Sequence, residues 1–375
     1  MNLVAADGRI ELSQDMMPIT ISQSGNYVLT ESLTGTNGAH GITINAGDVD
    51  LDLNGYHLLG VAGSRDGVTV PLPRLNLTIR NGTISGWGSN GVAMLSSTNC
   101  VVADLRVFEN DADGVNSGFA SIVTRCLFAY NGDALPTNGI GDGIEVENSS
   151  VISDCVAINN DEHGIDAHSG TTIRNCVMLD NRHDGIHGSK GVVINGCVAS
   201  GNDEGVEVDV ASMVQQSVAT DSLEDGFRDI AGGCLFKACT AYLNGYNPAE
   251  PFGNQIGDGI DIDHGSSVVE CVAYSNRQEG IESSAADGVQ VLRNVASNQL
   301  DEGIKHDGEN CRIDENHMIH NAGDGLHIKP GSGGTNNMVT RNVSDGFDVK
   351  AGNHIDTVTN PGASTINDPW INIDL

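Results

Sequence analysis

Acidic and imidazole side chains recur two residues apart along the middle of this 375-residue chain. Each pair follows a glycine and one apolar residue, and successive pairs lie 20 or 21 residues apart. Carboxylates and imidazoles can transfer protons, and an arginine can neutralise an anionic group of a substrate. These residue types would therefore suit acid–base chemistry on a negatively charged substrate. The residues are Glu145 and Glu147, Asp166 and His168, His187 and Ser189, Glu207 and Asp209, and then Arg228.

A polar residue followed by glycine and an apolar residue recurs along almost the whole chain. Most neighbouring copies lie 20 to 26 residues apart. Such a period is typical of a solenoid, in which each coil can bury its apolar face only against its neighbours. The polar residues of the fourteen copies are His40, Asp66, Asn90, Asp113, Asp142, His163, Asp184, Glu204, Asp225, Asp258, Glu279, Glu302, Asp324 and Asp345.

Short apolar runs that end in asparagine accompany each copy, as in RCLFAYN, DCVAINN and NCVMLDN. They predict short β-strands joined by sharp corners, because asparagine and glycine tolerate the left-handed backbone conformation. In these features the chain resembles the right-handed parallel β-helix superfamily, which includes pectate-lyase-like repeat proteins. We expect an all-β solenoid of about fourteen coils in a single domain, 1–375, with an N-terminal cap at 1–38, coils at 39–351 and a C-terminal tail or cap at 352–375.

Cysteines and asparagines also recur at fixed places in the repeat. Neither a CxxC pair nor zinc-type spacing occurs, so stacked buried thiols are favoured over disulfides or a metal. The asparagines that close the cysteine strands should form a stacked amide ladder at a corner. These residues are Cys100, Cys126, Cys155, Cys176, Cys197, Cys239, Cys271 and Cys311, and Asn131, Asn160, Asn181, Asn202, Asn244 and Asn276.

The charged pairs should form one outward stripe. Side chains alternate between the two faces of a strand, and neighbouring strands lie about 4.8 Å apart. Asp261 and Asp263 continue the series after Arg228. We therefore expect charged groups that are distant in the chain to meet on one exterior face.

Two insertions interrupt the period at the same point of the coil. They are GDALPTNGIG, before Asp142, and GYNPAEPFGNQIG, before Asp258. Loops on a rigid scaffold commonly carry binding residues. We expect the two loops to wall a cleft whose floor is the charged stripe, with Tyr246 and Phe252 of the second loop stacking on a sugar ring.

The resemblance implies an enzyme that cuts or epimerises acidic polysaccharides lying in a shallow groove along the helix. Such reactions need a cation at the uronate carboxylate and a base for the neighbouring proton. Arg228 would hold the carboxylate with help from Lys190, and His168 or His187 would act as base or acid. Substrate contacts are expected at Asp166, Asp261 and Asp263.

The paired carboxylates would also suit Ca²⁺, which prefers oxygen ligands. Glu207 and Asp209 are candidates for both catalysis and metal binding, with Glu145, Glu147 and Asp166 as further ligands. No organic cofactor is expected. A bound cation would relieve the repulsion between an acidic protein and an acidic polymer.

The family motifs are incomplete. Glu145 and Glu147 resemble the Glu-x-Glu pair of calcium-dependent alginate and dermatan lyases, but no lysine occurs in Val151–Asp154. The Asp-Pro-His signature of mannuronan epimerases is absent, because Trp370 follows Asp368 and Pro369. The four motifs typical of polygalacturonases are also missing.

Three functions remain open from the residues alone. The first is a lyase or C5-epimerase acting on polysaccharides that contain uronic acids. The second is a glycoside hydrolase, for which Asp166, Glu207, Asp209, Asp261 and Asp263 could supply the two carboxylates. The third is a non-catalytic glycan-binding or structural solenoid, which the low aromatic content of 4% favours.

The overall charge limits the possible partners. The formal net charge of −32 disfavours nucleic acid and anionic membranes, and the sequence has no apolar run long enough to span a bilayer. The start of the chain lacks a signal-peptide pattern, so we expect either a cytosolic protein or, given its class, an extracellular or periplasmic one whose leader is absent. The residues do not determine an oligomeric state.

Overall fold

The computed structural model describes residues 8–132, 141–246, 257–283, 286–328, 337–349, 353–355, 358–359 and 372–374. The chain divides into two compact units, Met1–His187 and Gly188–Leu375, which are described separately. In both units a coil consists of one strand in a first sheet, here called the stripe sheet, and two strands in a second, here called the back sheet. The coil formed by Ile165–Ala167, Thr172–Arg174 and Val177–Leu179 is representative.

The strands of each coil pair in parallel with those of the next coil. Among the described residues the one helical element is a short 3₁₀ turn at Gln14–Met16. The predicted all-β parallel solenoid is confirmed, and the described residues contribute fifteen strands to the stripe sheet. None of the described residues belongs to a helix long and apolar enough to cross a membrane.

In unit 1 the stripe sheet contains Ile19–Ile21, Ile42–Ile44, Val68–Thr69, Val92–Thr98, Val115–Phe119, Ile144–Val146, Ile165–Ala167 and, reaching the unit boundary, Ile186–Gly188. The back sheet contains Ile10–Leu12, Gly25–Leu29, Leu33–Thr34, Val49–Asp52, His57–Leu59, Leu77–Ser85, Val101–Phe108, Ile122–Thr124, Leu127–Ala129, Val151–Ser153, Val156–Ile158, Thr172–Arg174 and Val177–Leu179.

In unit 2 the stripe sheet contains Val206–Val208, Phe227–Asp229, Ile260–Asp261, Ile281–Ser283, Ile304–His306, Leu326–Ile328 and Phe347–Val349. The back sheet contains Val193–Asn195, Val198–Ser200, Met213–Gln215, Val218–Thr220, Leu235–Lys237, Thr240–Tyr242, Ser267–Val269, Val272–Tyr274, Gln290–Leu292, Val295–Ser297, Arg312–Asp314, His317–Ile319, Met338–Thr340, Val343–Ser344, His354–Ile355, Val358–Thr359 and Asn372–Asp374.

The residues predicted as an N-terminal cap already take part in coil pairing. Ile10–Leu12 pairs in parallel with Gly25–Leu29, and Ile19–Ile21 pairs with Ile42–Ile44. At the other end, Asn342 Nδ2 donates to Asn372 Oδ1 at 3.2 Å, so at least one residue of the predicted tail joins a side-chain ladder. The role of 352–375 as a lid stays a prediction, because most of it lies outside the described residues.

The interior of each coil is filled by small and branched side chains. Ile144, Ile165 and Ile186 are fully buried at equivalent places in unit 1, and all nine cysteines are buried free thiols. Removing this apolar surface from water stabilises the stack. One expectation was wrong in detail: Cys100 precedes a first back-sheet strand, and Cys126 precedes a second, so the thiols form two lines rather than one.

Stacked amides close the corners, as predicted. Asn131 Nδ2 donates to Asn160 Oδ1 at 3.0 Å, and Asn160 Nδ2 donates to Asn181 Oδ1 at 2.9 Å. In unit 2, Asn244 donates to Asn276 at 2.9 Å. Each amide oxygen also accepts a backbone N–H of the preceding coil, which satisfies a polar group that would otherwise be buried unpaired.

The polar residue before each repeat glycine has a structural role that the sequence did not indicate. In unit 1 the N–H of Asp142 donates to Asp113 Oδ1 at 3.1 Å, and the N–H of His163 donates to Asp142 Oδ1 at 2.9 Å. The N–H of Asp184 donates to His163 Nδ1 at 3.3 Å. These side chains therefore accept a backbone hydrogen bond from the following coil, and we call this series the acceptor ladder.

Candidate functional site

The outward stripe of unit 1 is a row of polar side chains in register. Asn116 is the register partner of Glu145, and Glu145 is the partner of Asp166. Ile165 and Ala167, on either side of Asp166, are fully buried, so the alternation of the strand turns Asp166 outward.

Asp166 is the centre of this row. Its Oδ1 lies 2.9 Å from His187 Nδ1, and its Oδ2 lies 4.0 Å from His168 Nε2. The Nδ1 atom of His168 lies 3.2 Å from Glu147 Oε2. The side chains of Asp166, His187 and His168 are 20%, 31% and 36% exposed, so a ligand can reach them from the surface.

Two opposing effects set the charge of Asp166. Burial acts to raise its pKa, but the hydrogen bond from His187 and the charges of the neighbouring imidazoles lower the pKa below its ordinary value. An ionised carboxylate can only accept, so the bond assigns the proton of His187 to Nδ1 and leaves Nε2 as its basic nitrogen.

Glu145 on the preceding coil behaves in the opposite way. Burial, together with the charges of Asp113 and Asp166, raises its pKa to about 7. Asn116 donates through Nδ2 to Glu145 Oε2 and lies 3.3 Å from Asp113 Oδ2. The row thus holds a carboxyl group that is partly protonated at neutral pH, Glu145, next to one that is ionised, Asp166.

Further imidazoles lie beside the row and were missed in the sequence. The ring of His163 stacks on His187 with 5.1 Å between centroids, and it meets His183 edge-on at 5.5 Å. His163 Nδ1 also lies 3.4 Å from Asp184 Oδ2. The sequence did contain a signal for both residues. His163 directly precedes a repeat glycine, and His183 lies two residues before the next one, whereas the predicted site used only positions after the glycine.

The stripe of unit 2 is also in register, and its composition differs. It comprises Glu207, Arg228, Asp261, Glu282, Lys305, His327 and Asp348, each paired with the next. Arg228 Nη1 lies 2.7 Å from Glu204 Oε1 and 3.6 Å from Glu207 Oε2. Lys305 Nζ lies 2.6 Å from Glu279 Oε1 and 2.7 Å from Glu282 Oε1. Permanent cations therefore contact four acids on or beside this stripe, Glu204, Glu207, Glu279 and Glu282.

Asp261 lies between these two cations in the register. Burial, followed by the charges of Asp225 and Glu282, raises its pKa to about 8 although Arg228 acts to lower it. At neutral pH it therefore carries a proton, which suits a hydrogen-bond donor better than an ionic contact.

Other predicted site residues have local contacts of their own. Asp209 Oδ1 accepts the N–H of Val210 at 2.6 Å, and Asp263 Oδ1 accepts the N–H of His264 at 2.6 Å. Lys190 is exposed in the turn that follows Ile186–Gly188. The guanidinium carbon of Arg277 lies 5.5 Å from the ring centroid of Tyr246. Phe252 lies outside the described residues.

The predicted cleft stays a prediction, because 133–140 and 247–256 lie outside the described residues. The bases of both insertions are described. Gly132 follows the corner residue Asn131, and Gly245 follows Asn244 at the equivalent corner of its own coil. The two ends of each loop approach closely there, since a Cβ on Gly141 would lie 2.3 Å from Gly132 Cα and one on Gly257 would lie 2.4 Å from Gly245 Cα.

Carboxylates and imidazoles gather in several groups that could hold a metal ion. Glu145, Asp166 and His168 bring ligand atoms within 4.8 Å of one another. Within the described part of the chain, Glu147, Glu207 and Asp209 belong to no such group. The remaining groups are Asp113, Asp142 and Glu145; Asp258, Asp261 and Glu282; Glu279, Asp301 and Glu302; and Asp324, His327 and Asp348.

Comparison with known families gives one match. A family model described as a right handed beta helix region matches residues 19–172 and 76–234. No curated protein sequence matches significantly.

Several solved structures have a similar fold. The periplasmic alginate epimerase AlgG is 11% identical, with 86% of this chain and 81% of that chain covered and a TM-score of 0.51. Tailspike protein 3 of bacteriophage CBA120 is 14% identical over 84% of this chain and 57% of that chain, with a TM-score of 0.48. Pectate lyase Pel9A is 17% identical over 69% and 70%, with a TM-score of 0.34. At these identities the likeness concerns the fold alone.

Proposed function

Because the chain belongs to the family of right-handed β-helix regions, we propose that its outward stripe acts on a long polymer, as a lyase or C5-epimerase of polysaccharides that contain uronic acids. AlgG, a protein of this fold, is an alginate epimerase. One observation carries the proposal: His168 and His187 both lie within 4.0 Å of the ionised carboxylate of Asp166.

The first step removes the proton at C5, next to the uronate carboxylate. His187 takes this proton on Nε2, and Asp166 stabilises the imidazolium that forms. The electron pair of the C–H bond moves into the carboxylate as an enolate. An epimerase then returns a proton to the opposite face of C5, whereas a lyase expels the 4-linked oxygen and forms a double bond. His168 supplies the proton in either case.

The uronate carboxylate needs stabilisation while it accumulates charge. Glu145 donates a hydrogen bond to it in its protonated form, which a pKa of about 7 keeps substantially populated at neutral pH. In the ionised form of Glu145, calcium held by Glu145 and Asp166 would supply a positive charge at the same place instead. Arg228, Lys190, Glu207 and Asp209 remain candidates for further contacts along the polymer.

Proton exchange in heavy water tests the proposal. The protein is incubated with alginate, pectate and dermatan in D₂O, and deuterium at C5 and ultraviolet absorbance of unsaturated ends are followed. We expect one of the two signals, and we expect it to vanish in His187→Ala and His168→Ala. His317, an exposed residue of a back-sheet strand, provides the matched control His317→Ala. Absence of both signals across a full panel of uronate polymers would contradict the proposal, and glycan retention without turnover would indicate a binding protein.

A glycoside hydrolase is the second candidate, and one observation favours it. Glu145 and Asp166 place oxygens within 4.8 Å of each other, and their pKa values are shifted in opposite directions. An acid beside an ionised carboxylate is the pair that glycosidic cleavage requires. New reducing ends without unsaturated product, lost in Glu145→Gln and in Asp166→Asn, would establish this reaction instead.

The proposed function implies a location outside the cytoplasm, where such polysaccharides occur. AlgG is periplasmic. The substrate is the expected partner, and the net charge of −32 disfavours nucleic acid. Fractionation of the native host with antibodies against the chain tests this location.

A further inference from the structure

One buried carboxylate of unit 2 makes a hydrogen bond through only one of its two oxygens. Glu279 is 2% exposed, and its Oε1 accepts from Lys305 Nζ at 2.6 Å. Its Oε2 is buried and has no hydrogen-bond partner among the described residues. An ionised oxygen in such a place is strongly destabilising unless a positive group contacts it.

Two further carboxylates approach this oxygen pair from the next coil. Asp301 and Glu302 bring ligand oxygens within 4.8 Å of those of Glu279. Glu279 and Glu302 each precede a repeat glycine, and the N–H of Gly280 donates to the carbonyl of Glu302 at 3.1 Å. The three side chains are therefore held by the regular pairing of adjacent coils rather than by a loose surface loop.

The acceptor ladder explains why this place differs from the rest. The N–H of Asp258 donates to Asp225 Oδ1 at 2.7 Å, and the N–H of Glu279 donates to Asp258 Oδ1 at 2.9 Å. In the described residues no backbone N–H of the following coil donates to the Glu279 carboxylate. Glutamate is one methylene longer than aspartate, so its carboxylate extends past the N–H and faces the next acids.

The local charge also requires a cation. Lys305 is the cation that contacts Glu279, and it is shared with Glu282 at 2.7 Å. His327 Nδ1 lies 3.5 Å from Glu302 Oε1, so one lysine and one imidazole face the four acids Glu279, Glu282, Asp301 and Glu302, and neither makes a hydrogen bond to Glu279 Oε2. A second positive group of higher charge would satisfy the unused oxygen and the excess negative charge at once.

We propose that Glu279, Asp301 and Glu302 form a divalent cation site, and that its ligand is Ca²⁺. The donor set consists of carboxylate oxygens, which select hard cations over zinc or copper. Calcium accepts irregular arrangements of carboxylates, whereas Mg²⁺ requires nearly ideal octahedral geometry. The ion would join two neighbouring coils of unit 2, and it is distinct from the calcium expected at Glu145 and Asp166 in unit 1.

Calorimetric titration of the full chain with CaCl₂, after treatment with EDTA, tests the site. Glu279→Gln should weaken calcium binding by at least about tenfold, since even loss of an outer-shell partner has an effect of that size. Glu302→Gln and Asp301→Asn, at less buried positions, should weaken it in the same direction. Glu270→Gln, which removes one exposed charge on the back sheet, should bind as the wild type does.

Four outcomes would overturn the proposal. They are a wild-type chain that binds no calcium, a Glu302→Gln variant with unchanged affinity, equal or tighter binding of MgCl₂, and loss of binding in Glu145→Gln but not in Glu302→Gln. Calcium should also raise the melting temperature of the wild type by more than that of folded Glu302→Gln, which keeps only the calcium site expected at Glu145 and Asp166. These readouts do not depend on any enzymatic activity.

Discussion

The stripes of the two units are built by the same geometry and carry different chemistry. In unit 1 the ionised Asp166 faces two imidazoles, His168 and His187, and imidazole is the side chain that exchanges its proton most readily near neutral pH. In unit 2 four acids, Glu204, Glu207, Glu279 and Glu282, face Arg228 or Lys305, which keep their charge, and the imidazole of that stripe, His327, is only 11% exposed. The difference teaches that a row of charges on a solenoid is not a site in itself. Proton transfer needs partners that can change their protonation, and permanent ion pairs hold the acids in one state.

The largest expected effect separates the two stripes by activity. His187→Ala should reduce turnover of a uronate polymer by about 10²- to 10⁴-fold, the usual contribution of a general base. Initial rates with the polymer identified in D₂O provide the measurement. A loss of the same size in Arg228→Gln, with His187→Ala unaffected, would move the reaction to unit 2.

The scaffold should respond equally in both units. Asn160→Ala and Asn276→Ala each remove a buried amide that bonds across coils, and each leaves a backbone N–H unpaired. We expect each to lower the free energy of unfolding by about 2 kcal/mol. Urea unfolding checks both values. A much smaller loss in one unit would show that its amide ladder contributes less to stability.

The pH dependence of stability should reveal the protonated acids. The pKa of Glu145 is raised in the folded protein, so the folded state binds this proton more tightly and loses stability as pH rises from about 4.5 to about 7. Glu145→Gln should therefore gain about 1 kcal/mol relative to the wild type between pH 5 and pH 8, after allowance for partial exposure. Urea unfolding at both pH values tests this. Asp261→Asn should likewise gain stability relative to the wild type as the pH rises, since the pKa of Asp261 is raised to about 8.

The smallest effect concerns the ion pairs of unit 2. Arg228→Gln leaves Glu204 without its 2.7 Å contact and should reduce the free energy of unfolding by about 1 kcal/mol, a modest value because Arg228 is partly exposed. Thermal and urea unfolding in low and high salt measure it. If the loss does not shrink in salt, packing rather than charge accounts for it.

The fold could be predicted because individual residue types recur once in each coil. A glycine precedes most stripe strands and an asparagine occupies most corners, so the repeat itself identifies Asn131 and Asn160 as stacked neighbours. The predicted outward side was also correct for Glu145 and Asp166, which alternate with buried neighbours along their strands. The limits of the N-terminal cap were harder, because residues from Ile10 onward already pair as coil strands.

The site was predicted less completely because its chemistry depends on contacts between coils. Sequence reasoning placed Arg228 as a free clamp for substrate, but Glu204, which precedes a repeat glycine, reaches it at 2.7 Å. His163 also precedes a repeat glycine, and its ring stacks on His187 in the unit 1 row. Nor does the sequence reveal that Glu145 and Asp166 titrate in opposite directions, since that depends on burial and on the imidazoles around Asp166.

The acceptor ladder has a consequence for how such a protein can change in evolution. A side chain such as Asp113 or Asp142 satisfies the backbone of the adjacent coil alone, so no bond of this type extends across several coils. Duplication of one gene segment of about 21 codons, the length of one coil, would therefore supply both the new donors and the new acceptors together. The outward stripe can therefore be lengthened or shortened by whole coils, while the acceptor ladder stays complete on both sides of the change.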